Sequence, residues 1–318
     1  MRTHQPFEVI VADGVPASLA RVHPRRREPI RLGLVQQQYY DDPAVHEASL
    51  REGVALAVAE GAHIVCLQEI TLIPYCAIVP DGPDALGMHP EQLPGGPTHT
   101  LATELATEHG VFVHASLWEA DPSLAPRGWN TAICVSPTAE LVARTRKVHI
   151  PVTAGYFEDL YFEQGDTGYP VIDLDLGGVG GRFGFPTCWD EWFPELARIY
   201  GLGGAEVLVY PTAIGSEPDH PDFDTMPLWR HVIVGNGITS GTFMAVPNRI
   251  GTETIGGVDI TFYGSSFISD PYGRVIVEAP RDRPAVLVAD LDLDQCRDWL
   301  DLFPFDTTRR PDTYGGLL

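Results

Sequence analysis

The stretch GFPTCWDEWFPE, residues 184–195, sets a cysteine between two different patterns. Upstream, GRFGFPT reads as a strand. Downstream, FPELARIY has the apolar spacing of a helix. A side chain at a strand-to-helix turn is presented at a sheet edge, and a helix N-terminus beyond it lowers a thiol pKa. Free cysteine is also among the most buried residue types. Cys188 is thus a nucleophile or buried filler, and its partners must decide.

A thiol nucleophile needs a base and a group that stabilises the developing negative charge. Glu69 ends the apolar strand HIVCLQE, where an unpaired carboxylate is costly to bury. Lys147 ends LVARTRK, and Glu119 lies near the end of the strand containing SLWEA. In a sheet whose strand ends gather on one edge, these four side chains converge. Each alone is equally compatible with a solvated strand end.

Working outward, the pattern from Ile30 alternates between strands and helices. IRLGLVQQQY is a strand, and PAVHEASLREGVALAVAEGA is a helix ending near Gly61. PTHTLATELATEHG is a helix closed by Gly110. The alternation, broken by several hairpins, predicts an α/β fold with mixed sheets. It also predicts one domain over residues 30–318, preceded by an extension over 1–29 and ending in an extended tail, RRPDTYGGLL. The glycines of GGVGGRFG do not form a nucleotide loop. Phe183 stands where G-x-G-x-x-G needs its third glycine, and the run leads into a strand, so a hairpin turn is expected.

Composition narrows the function classes. The formal net charge is −22, which repels nucleic acid and anionic lipid. No apolar run reaches the ~18 residues of a membrane span. The five cysteines are odd in number, widely spaced and lack C-x-x-C, so neither a disulfide framework nor a zinc site is expected. Reduced thiols in a cytoplasmic protein are the expectation.

The segments LQEI, RKVHIP and CWDEWFPE occur in the order Glu, Lys, Cys. That order and those contexts resemble the nitrilase (carbon–nitrogen hydrolase) superfamily, over nearly the whole chain from Ile30. YFEDLYFEQGDTGYPVID, GAEVLVYPTAIGSEP, NRIG and RRPDTYG further resemble the N-carbamoylputrescine amidase branch, with β-ureidopropionases as near relatives. The resemblance implies a four-layer α-β-β-α sandwich, self-association into a dimer or larger homo-oligomer, and no metal or organic cofactor. It implies Glu69 as general base, Lys147 as oxyanion stabiliser, Cys188 as nucleophile and Glu119 as a supporting glutamate. The backbone N–H of Trp189 is the expected second oxyanion donor. The chain departs from the pattern at Pro186-Thr187, before the nucleophile, and in HIPVTAGY, which lacks an acidic residue after HIP.

The implied reaction is hydrolysis of an N-carbamoyl amine to amine, ammonia and carbon dioxide through a thioester-type intermediate. Glu191, Glu217 and Asp219 are candidates to face a cationic far end. The alternative substrate, N-carbamoyl-β-alanine, needs a guanidinium, for which Arg230 and Arg249 are the candidates. Aliphatic amidase or nitrilase activity and a catalytically silent binding protein of the same fold are further alternatives. A papain-like protease lacks its motif here, and DHPDFD (219–224) lacks the fixed ligand spacing of a metallohydrolase.

Overall fold

The structure, a computed structural model, describes residues 4–317. Two sheets stack face to face. The first has seven strands in the spatial order Glu8–Val11, Ala285–Leu291, Ile30–Gln36, Ile64–Cys66, Phe112–Ala120, Gly128–Val135 and Leu141–Arg146. The second has six, in the order Val275–Glu278, Phe267–Ser269, Phe243–Val246, Val207–Val209, Gly180–Gly184 and Val171–Asp175.

Strand alternation sends successive side chains to opposite faces, and the buried apolar residues sort accordingly. Ile64, Cys66, Phe183, Val209 and Leu287 meet between the sheets. Val113, Val65 and Val288 face outward from the first sheet and pack on Leu50, Val54 and Leu105 of helices Pro43–Ala59 and Pro97–His109. Leu208 and Met244 face outward from the second sheet, against Leu196, Tyr200 and Ile233 of helices Pro194–Leu202 and Met226–Ser240. The layers therefore run α-β-β-α, as the resemblance implied.

Local signals behave as their chemistry dictates. Helix Pro97–His109 ends at Gly110, whose φ of 68° is left-handed and whose N–H bonds to Ala106 O. GGVGGRFG turns a hairpin at Gly177 and Gly178, both at positive φ, so that Gly180–Gly184 pairs antiparallel with Val171–Asp175. Pro186 lies beyond the end of that strand, so no ladder donor is lost.

The segment expected as an extension ahead of the domain lies against the domain itself. Residues 1–3 lie outside the described residues, but Glu8–Val11 pairs in parallel with Ala285–Leu291 as an edge strand of the first sheet. Arg21 then pairs with Asp292 (2.8 Å) and Asp298 (2.7 Å), and Arg27 with Glu206 (2.5 Å) and Asp294 (3.0 Å). The segment carries the arginines that a strongly acidic chain needs at these buried aspartates. The tail is not fully extended either; it coils into short turns at Pro311–Thr313 and Gly315–Leu317. All five cysteines are free and buried. No helix among the described residues is long and apolar enough to cross a membrane.

Candidate active site

Parallel strands end together, and their following loops meet at one edge. Val207–Val209 lies between Gly180–Gly184 and Phe243–Val246, parallel to both. The loops that follow tie the site to both sheets. Cys188 N donates to Pro211 O (3.0 Å), and Glu69 N to Thr212 O (3.4 Å). Cys188 opens a short 3₁₀ turn, Cys188–Trp192. Asp190 braces that turn, accepting from Thr187 N (3.2 Å), His149 N (2.9 Å) and His149 Nδ1 (2.8 Å). The His149 ring stacks on Phe193 at 3.7 Å, so the HIP segment is docked on the nucleophile's own turn.

Glu69 and Lys147 are both buried, and Lys147 Nζ lies 3.0 Å from Glu69 Oε1. Asn130 Nδ2 donates to the same oxygen at 2.8 Å. The other carboxylate oxygen, Oε2, is buried with no hydrogen-bond partner among the described residues, which leaves it free to take a proton. Burial alone pulls an ammonium's pKa down, but Glu158 and then Glu69 outweigh it and hold Lys147 charged.

The second carboxylate on Lys147 is Glu158, not the expected Glu119. Lys147 Nζ lies 2.8 Å from Glu158 Oε1 and 2.7 Å from Oε2. Tyr75 OH donates to Oε1 at 2.6 Å. Burial, opposed by Lys147, lifts the Glu158 carboxyl to about 7. Glu119 sits elsewhere, accepting from Thr131 Oγ1 (2.8 Å) and pairing with Arg144 and Arg146. The reason is strand parity. Glu119 shares a face with Val113, Ala115 and Leu117, which point toward the outer helices. Glu158 comes from the segment YFEDLYFEQGD, where a carboxylate stands among Tyr156, Phe157, Tyr161 and Phe162. An acid inside an aromatic cluster is costly unless paired, and that signal marks it.

Cys188 is 5% exposed and forms part of a cavity of about 150 Å³ with Tyr156, Glu158, Trp189, Trp192 and Glu217. The expected lowering of its pKa by a helix terminus is not what the site does. Burial, reinforced by Glu69 and only partly opposed by Lys147, pushes the thiol well above its ordinary range. The resting group is the neutral thiol, which needs a base beside it. Trp189 occupies the first turn of the short helix, where a helical N–H has no intrahelical acceptor.

The three substrate-facing candidates separate. Glu217 lines the cavity, half-buried, and burial raises its carboxyl above the usual range. Asp219 is exposed on the loop beyond and does not line the cavity. Glu191 is fully buried away from the cavity wall, where its Oε1 accepts from Trp229 Nε1 (2.6 Å) and its main-chain O from Asn236 Nδ2 (2.8 Å). It fastens the nucleophile's turn to helix Met226–Ser240. The candidate guanidinium groups are engaged elsewhere too. Arg230 Nη1 bonds both oxygens of Glu278 (2.7 and 2.9 Å), and Arg249 is buried against main-chain carbonyls and Glu253.

A cysteine beside a buried lysine–glutamate cluster, in an α-β-β-α sandwich, defines a hydrolase class that attacks carbonyl-type carbon through sulfur. The family model described as carbon-nitrogen hydrolase matches residues 31–301, and the chain belongs to that family. An N-carbamoylputrescine amidase of Solanum lycopersicum is 36% identical over 282 residues, covering 87% of this chain and 91% of that protein. A citrullinase of Francisella tularensis is 34% identical over 289 residues, covering 90% and 96%. The crystal structure of a carbon-nitrogen hydrolase from Helicobacter pylori G27 superposes with a TM-score of 0.78 at 27% identity, covering 91% of this chain and 98% of that one.

Proposed function

We propose that this carbon–nitrogen hydrolase cleaves N-carbamoyl amines whose far end is cationic, with N-carbamoylputrescine as the leading substrate. Glu69 Oε2 takes the thiol proton, and Cys188 attacks the carbamoyl carbon. Lys147 and the N–H of Trp189 stabilise the oxyanion. Glu69 returns its proton to the departing ammonia, leaving the carbamoyl carbon bonded to sulfur. It then draws a proton from water, which cleaves that bond and restores the thiol. The carbamic acid released loses carbon dioxide and yields the free amine. Glu158 keeps Lys147 charged and aimed.

The observation that carries the substrate reading is Glu217. It lines the cavity that contains Cys188, and the charged neighbour acting on it is His220, not a lysine or arginine. Its electrostatic counterweight is His220, which opposes the effect of burial without overcoming it, so a ligand that brings a fixed positive charge is favoured. No lysine or arginine side chain lines that cavity among the described residues, so a substrate carboxylate lacks a cationic partner there. The relatives named N-carbamoylputrescine amidase support the same choice.

The test is kcat/KM, read by ammonia release, for N-carbamoylputrescine, citrulline and N-carbamoyl-β-alanine under identical conditions. The cationic substrate is expected to exceed the anionic one by about a hundredfold or more, the value of several kcal/mol for a mispaired buried charge. If N-carbamoyl-β-alanine is the better substrate, the reading is wrong.

A further inference from the structure

Arg249 is fully buried, lies outside the cavity wall and makes an unusual set of contacts. Its Nε and Nη2 donate to Glu69 O at 3.2 and 2.9 Å. The same Nη2 donates to Ile73 O at 2.8 Å and also to Ile70 O. Three carbonyls of the loop that carries Glu69 thus converge on one guanidinium.

That loop requires a clamp. Ile70 has φ of 47°, in the left-handed region, although it is β-branched. Such a conformation persists only where the surroundings over-determine it. The residue held there directly follows Glu69.

The other side of Arg249 reaches the second glutamate. Nη1 pairs with Glu253 Oε1 at 2.6 Å. Glu253 Oε2 accepts from Tyr75 N at 2.7 Å, and Tyr75 OH donates to Glu158 Oε1 at 2.6 Å. Both carboxylates that flank Lys147 are therefore tethered to one buried ion pair, Glu69 through its main chain and Glu158 through Tyr75.

We propose that the Arg249–Glu253 pair is the positioning element of the site, setting where the Glu69 and Glu158 carboxylates stand relative to Cys188 and Lys147. The proposal rests on Glu69 being the base, as read above. Lysine cannot replace Arg249 in this role, because a compact ammonium lacks the planar fork that spans several carbonyls and a carboxylate at once.

The experiment compares Arg249→Lys, Glu69→Asp and the double variant, each assayed well below its own Tm with N-carbamoylputrescine. Arg249→Lys is expected to lower kcat about a hundredfold, the usual cost of a ~1 Å misplacement, while KM stays within about threefold. The double variant is expected to be no worse than Glu69→Asp by more than about threefold, because the arginine acts through the residue already displaced. A purely structural role predicts multiplying losses instead. If Arg249→Lys does not fold, Glu253→Gln takes its place, since Arg249 and Tyr75 N meet different oxygens of Glu253 and the amide turns one of those positions into a donor; it is expected to lose at least about tenfold with the same non-additivity. Turnover within about threefold of wild type in the folded variant, or multiplying losses, would overturn the proposal. Wild-type turnover by Glu69→Asp would instead overturn the assignment of Glu69 as base, a separable result.

Discussion

Lys147 and Glu158 form a fully buried ion pair, with Nζ 2.8 and 2.7 Å from the two carboxylate oxygens. The same ammonium lies 3.0 Å from Glu69, so one positive charge is shared by two carboxylates. Burial, only partly opposed by Lys147, lifts the Glu158 carboxyl to about 7, while Lys147 stays charged. The site therefore holds a fixed cation beside a neutral thiol, and under the proposed mechanism the reaction begins when Glu69 takes the sulfur's proton.

Cys188→Ala is expected to abolish ammonia release while leaving the circular dichroism spectrum and Tm near wild type. Losing a nucleophile costs on the order of 10⁴-fold or more in kcat. Wild-type-like release by a preparation free of contaminating enzyme would remove Cys188 from the mechanism.

Lys147→Met is expected to harm both activity and stability. One positioned oxyanion donor is worth about 3–4 kcal/mol, or at least a hundredfold in kcat. The variant also leaves two carboxylates buried together without their cation, a change that typically costs about 3–5 kcal/mol of stability. Denaturant unfolding near pH 7 measures the second effect. A loss of less than about tenfold in kcat would mean that Lys147 does not touch the reacting atoms.

Glu158→Gln separates charge from shape. Glu158 has its folded pKa raised from 4.5 to about 7, so it favours the fold most below pH 4.5, and that contribution is lost as pH rises through 7. The glutamine variant is expected to lose this part of the pH dependence. Its kcat is expected to fall by at least about tenfold with KM nearly unchanged, because a donor is loosened and not a substrate contact. Unfolding midpoints from pH 4.5 to 8 for both proteins supply the comparison, and parallel curves would contradict the assignment.

His114 is expected to govern the acid side of the stability profile. It is fully buried, stacked on Phe185 at 5.4 Å, and neither ring nitrogen has a hydrogen-bond partner among the described residues. Burial lowers its pKa from 6.5 to about 3. The neutral ring is tolerated above pH 6.5, and stability is lost as pH falls from there toward 3, because only the unfolded chain takes up the proton. At pH 5 the expected loss is about 2 kcal/mol, at about 1.4 kcal/mol per pH unit. His114→Leu is expected to flatten this limb, leaving His46, lowered to about 4 by burial, as a remaining contributor. An unchanged acid limb would show that His114 does not set it.

Self-association is expected from the outer face of helix Pro194–Leu202. Ile199 and Leu202 are 42% and 45% exposed there, and together with Tyr314 and Leu317 of the tail they line one groove. Exposed apolar side chains grouped in one groove and rimmed by Glu195, Arg198 and Arg309 fit an interface. Light scattering at micromolar concentration is expected to give at least twice the 34.8 kDa chain mass. A species of single-chain mass alone would refute it.

What the chain's order determined was the ladder of elements and the three residues at strand ends. Period-2 and helical spacing are local, so IRLGLVQ, VFVHASLWEA and FPELARIY declared themselves without any partner. Glu69, Lys147 and Cys188 were legible because each closes an apolar strand or opens a helix, and the Glu–Lys–Cys order carried the family resemblance. The tertiary structure decided what depends on faces and on chain crossings. Glu119 and Glu158 both lie close to aromatic residues in the sequence. Strand parity turns Glu119 toward the outer helices, while the segment after HIP folds back to set Glu158 on Lys147. Arg249 was one of two candidates to hold the alternative substrate's carboxylate, yet it is spent on the carbonyls of a loop about 180 residues earlier. The segment 1–29 read only as an extension ahead of the domain; its strand Glu8–Val11 completes a sheet edge whose partner strand begins at Ala285. In each case the deciding energy is long-range: a charge is buried only where another segment brings its counter-charge, and spacing along the chain carries no record of which segment that is.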